Sequence, residues 1–322
     1  MLLGFFDTIF LLLSLCISLL IVVPLTGVLV RFRANYNPKA LQLDAEGGAV
    51  PHTGPVINSY FSMMARVWRL EGAQGLYKGL MPTAISTYFV TIVILIFMDT
   101  PKPRHGRYKA PDASLLGTLA YSIGMMLISL PTAILTYRSI TTPHKLGYLS
   151  LTKALRIILT PTERKKPWIL YLTPGLLAAE VLHVGIVILI LSPFHRLLLP
   201  AVINPDLDPT DISLWKAAIY FAIVTLATIV LAPLEVIAAR LAIQRNHASS
   251  EYNSVSQEVE GDGEEAVEYS GTDEDVIGLR HEGDPYTGLV DCTKRIIDEE
   301  GIMTLYRAWW VTLLGGLASA FA

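Results

Sequence analysis

Glu180 and His183 stand three residues apart inside a long apolar run, so one helix face would carry a carboxylate and an imidazole together. Such a pair can hold a polar solute. Charge at membrane depth is costly and points to a functional role, with each side chain the other's expected partner. A plainer reading leaves Glu180 solvated in a water-filled vestibule and makes His183 a hydrogen-bonded contact between helices. Elsewhere the chain has no nucleophile paired with a base, no metal-ligand cluster and no phosphate-cradling glycine loop. No catalytic residue, metal or cofactor is expected, and the chain does not read as an enzyme.

The elements that must position this pair are apolar helices. The chain has 322 residues, of which 52% are hydrophobic and 16% charged, and its mean hydropathy is +0.48. That balance belongs to membrane proteins. Apolar runs at Ile9 to Val30, Leu80 to Met98, Leu115 to Tyr137, Leu172 to Leu191, Ala217 to Ile243 and Trp309 to Ala322 reach or approach the roughly 20 residues that span hydrocarbon. Six spans are predicted, the last the shortest. The first is expected to be retained, since it lacks a basic leader and a small-residue cleavage site. Cys16 and Cys292 make no disulfide framework. The net charge of −3 hides basic stretches after the first and third spans and an acidic one after the fifth.

Self-similarity organises the spans. Pro24/Arg31, Pro131/Arg138 and Pro233/Arg240 repeat one spacing of seven residues, with the prolines 107 and 102 residues apart. Seven residues are about two helical turns, so each proline bends a helix whose polar end its arginine is expected to cap. Glu71-Gly72 leads to Tyr77-Lys78-Gly79 before the second span, and Glu300-Gly301 leads to Tyr306-Arg307-Ala308 before the sixth. The middle copy reads as worn, with Thr160-Pro161 where Glu-Gly should stand. The units predicted are 1–98, 114–198 and 213–322.

These motifs resemble the mitochondrial carrier family, whose repeat reads Pro-x-Asp/Glu-x-x-Lys/Arg-x-Arg, then Glu-Gly, then aromatic-Lys/Arg-Gly; Pro233-Leu234-Glu235 through Arg240 is the nearest match. The resemblance implies an all-α membrane protein: six transmembrane helices in three pseudo-threefold pairs around a cavity, with short amphipathic helices on one side. It further implies a multi-pass protein of a mitochondrial membrane, the inner one by family default and the outer one as the alternative. Lipid and a small solute or a protein would be its partners; a monomer is expected, and no nucleic acid.

The family closes its cavity with ion pairs between the residues two and five after each proline. Those positions here are Thr26 and Leu29, Ala133 and Thr136, and Glu235 and Ala238. One carboxylate remains, and Arg31, Arg138 or Arg240 is its expected donor, because a lone buried charge is a cost. On the opposite side Asp99 and Lys102 keep a charge pair, whereas Phe194-His195-Arg196 does not. The resemblance places cavity contacts at Ser86, Thr87, Leu182, His183, Gly315 and Gly316, with Glu180 added by its depth. Gly315 and Gly316 read equally as a close helix contact, and Tyr77, Tyr88, Trp309 and Trp310 as interface anchors.

Residues 246–284 insert a polar stretch rich in Asp and Glu, which is expected to be disordered and to serve as a linker or an interaction tail that docks on the basic second repeat. A cavity without a ring of cations suits a small zwitterion or weakly polar solute, not a nucleotide or a di- or tricarboxylate. Two functions therefore stand: a transporter of a small weakly charged solute, or a non-transporting adaptor or insertase of the mitochondrial outer membrane.

Overall fold

The computed structural model describes residues 2–39, 42–43, 49–50, 55–97, 103–104, 107–108, 114–147, 151–203, 213–246, 276–280 and 283–319. Helices dominate: α1 (Leu2–Ala34), α2 (Tyr60–Leu76), α3 (Leu80–Phe97), α4 (Leu115–Thr141), α5 (Leu151–Ile158), α6 (Pro161–Lys165), α7 (Leu176–Leu198), α8 (Pro200–Ile203), α9 (Leu214–Ile243), α10 (Leu289–Glu299) and α11 (Trp309–Ala318). Two two-residue antiparallel hairpins pair Gln42–Leu43 with Ala49–Val50 and Pro103–Arg104 with Arg107–Tyr108.

Four helical stretches among the described residues are long and apolar enough to cross a membrane: Leu13–Ala34, Leu115–Thr141, Leu176–Leu198 and Leu214–Ile243. The other two expected spans correspond to α3, apolar over Leu80–Ile92, and to the ten-residue α11. The fold is thus that of an all-α membrane protein. Pro24, Pro131 and Pro233 all lie inside long helices. The α7 run passes through a π turn at Val187–Leu191, where Pro193 has no N–H to continue the ladder.

The chain forms two compact units that do not follow the repeat boundaries. The first comprises Met1–Thr87, Pro131–Thr173 and Ala242–Pro285; the second comprises Tyr88–Leu130, Pro174–Leu241 and Tyr286–Ala322. In the second, Leu191, Leu199, Tyr220, Val224 and Leu231 form a buried cluster. In the first, Met63 and Val67 from α2 are fully buried, while Phe61 and Trp68 on the same helix are exposed. The amphipathic face of α2 therefore packs inward at the helical period.

Candidate functional site

The seven-residue step from proline to arginine delivers each guanidinium to a buried carboxylate rather than to its own helix end. In the first unit Arg31 Nη2 donates to Glu71 at 2.5 Å, and Lys78 Nζ reaches the other oxygen of Glu71 at 2.5 Å. Arg31 also donates to the carbonyls of Gly75 and Ile140. In the second unit Arg240 makes a two-pronged bond to Glu300, whose carboxylate also lies 3.4 Å from Arg307. Lys78 and Arg307 each stand seven residues after their glutamate, so one arrangement recurs in both copies. Gly72 and Gly301 follow these glutamates with φ of 66° and 96°, in the region open to glycine, which accounts for the Glu-Gly pairing in sequence.

The middle copy is not worn. Arg138 forks onto Glu163 at 2.7 and 3.0 Å, and Glu163 is fully buried. The acid has moved along the chain: Thr160 caps α6 with Pro161 at its first position, and Glu163 returns the bond to the Thr160 amide in a capping box. Its carboxylate also accepts from the Asn246 amide. Burial pushes the Glu163 carboxyl upward, but the bonds and charge of Arg138 with these amides outweigh it and hold it below the usual carboxylate value.

Two of these arginines also reach forward along the chain with the same register. Arg31 Nε donates to the Ile140 carbonyl and Arg138 Nε to that of Ala242, in each case the residue two beyond the next copy's arginine. In the first unit the three motif copies are thereby tied in sequence order.

The prolines leave a second signature. Proline at position i cannot donate to the carbonyl at i−4, and within hydrocarbon an unmet carbonyl is costly. The Tyr77 hydroxyl donates to the Leu20 carbonyl at 3.1 Å, four residues before Pro24, and the Tyr306 hydroxyl to the Ile229 carbonyl at 3.3 Å, four before Pro233. Tyr77, read from sequence as an interface anchor, is thus a hydrogen-bond donor to the bent helix. Tyr77→Phe should lower stability by about 1 kcal/mol, read as a fall in thermal midpoint in lipid. In a Pro24→Ala background, where the new amide serves Leu20, the same substitution should cost much less.

Lys78 offers a pH test. Burial lowers it most, with Glu71 raising and Arg31 lowering it further, to about 8 from an ordinary 10.5. A lysine that binds its proton less tightly when folded weakens the fold while charged, so stability should rise from about pH 8 to about 10.5. An NMR titration of the lysine methylene next to Nζ checks the midpoint.

The membrane-depth cluster lies in the second unit. Glu235, from α9, takes a bond from the Thr312 hydroxyl of α11 at 2.6 Å and faces the His183 Nε2 of α7 at 3.4 Å. Glu180 is within electrostatic reach of both His183 and Glu235. This corrects two expectations: Glu235 is met by His183 and Thr312 instead of by Arg31, Arg138 or Arg240, and the partner of His183 is Glu235, not Glu180 alone. The arginines are engaged by glutamates that flank the spans, and α7 and α11 bring the nearer polar groups. The Glu235 and His183 side chains are 24% and 30% exposed, so the cluster is open rather than sealed.

The other cavity candidates divide. Ser86 shares a 2.9 Å hydroxyl contact with Thr132 on α4, and Thr87 bonds its own helix at Thr83. Leu182 is exposed beside His183. Gly315, three residues past Thr312, has open space where a side chain would stand, whereas a Cβ on Gly316 would meet Val224 at 2.9 Å. Gly316 is a helix contact and Gly315 is not. Asp99 and Lys102 lie outside the described residues. Among the described residues no three His, Cys, Asp or Glu side chains gather as a metal site.

Sequence reasoning missed Glu163, Thr312 and the end of the insert. The Thr-Pro-x-Glu spelling of a capped helix was the available signal for the first; Thr312 had none. The insert, expected to be a linker or a tail docked on the second copy, has Asn246 at its start bonded to Glu163, Ile169 and Thr173 of that copy, while its described residues 276–280 sit on Asn35, Tyr36 and Arg66 of the first.

An all-helical membrane protein with thrice-repeated proline, arginine and glutamate geometry is what these elements define. Residues 216–322 match the family model described as mitochondrial carrier protein. No curated protein matches the chain by sequence.

Proposed function

We propose that the whole chain is a divergent mitochondrial carrier of three repeats, 1–98, 114–198 and 213–322, that moves a small solute of little net charge across a mitochondrial membrane. The observation that carries this reading is the Glu235, His183 and Thr312 cluster, with Glu180 beside it, assembled from three helices at membrane depth. Polar groups at that depth are expensive and gather where a solute or ion passes. Two carboxylates and one imidazole favour a zwitterion or an amine over an anion, because a di- or tricarboxylate would meet like charge. The match over 216–322 covers the copy that contributes Glu235 and Thr312 and supports the same reading. Purified protein in liposomes should give saturable uptake of such a solute, reduced at least tenfold in His183→Ala; uptake unchanged by that substitution overturns the assignment.

One observation favours a second reading. The positions where carriers place gate ion pairs hold Thr26, Leu29, Ala133, Thr136 and Ala238, which suits a carrier fold used as an adaptor or insertase of the outer membrane. Protease added to intact mitochondria separates the two: cleavage within the acidic insert supports the outer-membrane adaptor, and full protection supports the inner-membrane transporter.

A further inference from the structure

The end of the acidic insert is held as a ligand is held. The Tyr36 amide donates to the Gly278 carbonyl at 2.8 Å, the Gly278 amide donates to the Asn35 side-chain oxygen at 2.9 Å, and Arg66 Nε donates to the Val276 carbonyl at 3.2 Å. Both backbone groups of one residue are thus read, which fixes the segment in register independently of its side chains. Specificity comes from Ile277, which is 7% exposed and, with Val276 and Leu279, walls a cavity of about 220 Å³ together with Arg31, Glu71 and residues 140–143. Arg66 and Arg69 stand one turn apart on α2, and the Asp273-Glu274-Asp275 triplet immediately before Val276 in sequence has the opposite charge. The residues flanking the bonded glycine are apolar.

We infer that the surface made by Asn35, Tyr36, Arg66 and residues 140–143 is a binding site for a short peptide with an apolar-Gly-apolar core, occupied by the chain's own residues 276–279. The occupant is tethered, so its effective concentration is high and the site is filled without a partner. It belongs to the third motif copy and sits on α1 and α2 of the first. Together with the Arg31 bond to Ile140 and the Arg138 bond to Ala242, it completes a set of ties among the three copies within the first unit. Release of the segment uncovers the cavity over the Arg31 and Glu71 pair. The inference is independent of whether the protein transports a solute.

The test uses the full chain in lipid nanodiscs, with Val276–Leu279 replaced by Gly-Ser-Gly-Ser, and a fluorescent synthetic peptide of residues 272–280 as probe. The replaced protein should bind the peptide saturably and at least tenfold more tightly than the wild-type chain, whose site is filled. A peptide carrying Ile277→Asp should not bind, and Arg66→Ala in the replaced protein should weaken binding several-fold. Equal binding by both proteins, or undiminished binding of the Asp peptide, overturns the inference. Should the replaced protein misfold, hydrogen exchange on the wild-type chain decides: the Gly278 amide should be protected and should lose that protection in Asn35→Ala, and unprotected exchange in the wild type is the contrary result.

Discussion

Arg138→Ala should lower the unfolding free energy by about 3–5 kcal/mol, the cost of leaving a buried carboxylate without its cation. Glu163 is fully buried and both of its oxygens lie on the guanidinium fork, so the loss of Arg138 leaves its charge to the Thr160 and Asn246 amides. Glu163→Gln keeps the shape but turns one accepting oxygen, bonded by Arg138 and by a backbone amide, into a donor, so it too should destabilise, and the double substitution Arg138→Met with Glu163→Leu should recover most of the loss. Acid should reproduce the effect: a carboxyl held below its usual value lends stability above about pH 4.5 that is lost as pH falls through the folded value. Thermal midpoints of the purified protein in lipid, taken as a function of pH, check all four statements. The comparison also asks whether the middle copy, least like its neighbours in sequence, is as deeply built as they are.

Glu235→Gln should abolish saturable uptake, by a hundredfold or more, while leaving the thermal midpoint within a few degrees. The amide still accepts from Thr312, so packing is kept; what disappears is the charge that faces His183. Thr312→Val removes a single hydroxyl and should reduce uptake about tenfold, because the carboxylate then loses its orientation but not its charge. The order Glu235→Gln worse than Thr312→Val, with both folded, separates a solute-handling role from a purely structural one, in which the packing change made by Thr312→Val would be the more damaging.

The parts of this molecule that were legible in the sequence are those whose information is local and repeated. Pro24, Pro131 and Pro233 announced their helices, and the seven-residue step to each arginine announced a common geometry, because helical spacing alone fixes which face a side chain takes. What each arginine touches was not legible. Arg31 finds Glu71, and Arg240 finds Glu300, across 40 and 60 residues, and only the fold brings those carboxylates in. Glu163 was hidden by a change of local solution: a proline-started, threonine-capped helix replaces the glycine turn and moves the acid along the chain. The polar cluster was half visible. Glu180 and His183 share a helix, so their depth and spacing could be read directly, but the approach of Glu235 and Thr312 is tertiary. The end of the insert was obscured by composition, since an acidic stretch with one short apolar segment resembles a solvated linker until the Gly278 backbone is seen bonded on both sides.

The gate positions illustrate the same limit. Threonine, leucine and alanine where carriers place ion pairs suggest a fold without closure, yet Arg31, Arg138 and the docked insert supply bonds between motif copies that no pattern at those positions foretells. The arginine bonds between motif copies rest on carbonyl acceptors, which every residue carries and no sequence motif marks.

Alternating exposure of the polar cluster can be measured without knowing the solute. Gly315→Cys, in a chain with Cys16 and Cys292 replaced, places a thiol in the open space beside Thr312. Vesicles of defined orientation are then exposed to a membrane-impermeant thiol reagent from one side or the other. A carrier that presents its polar cluster alternately to the two compartments predicts labelling from both sides; labelling confined to one side would contradict it.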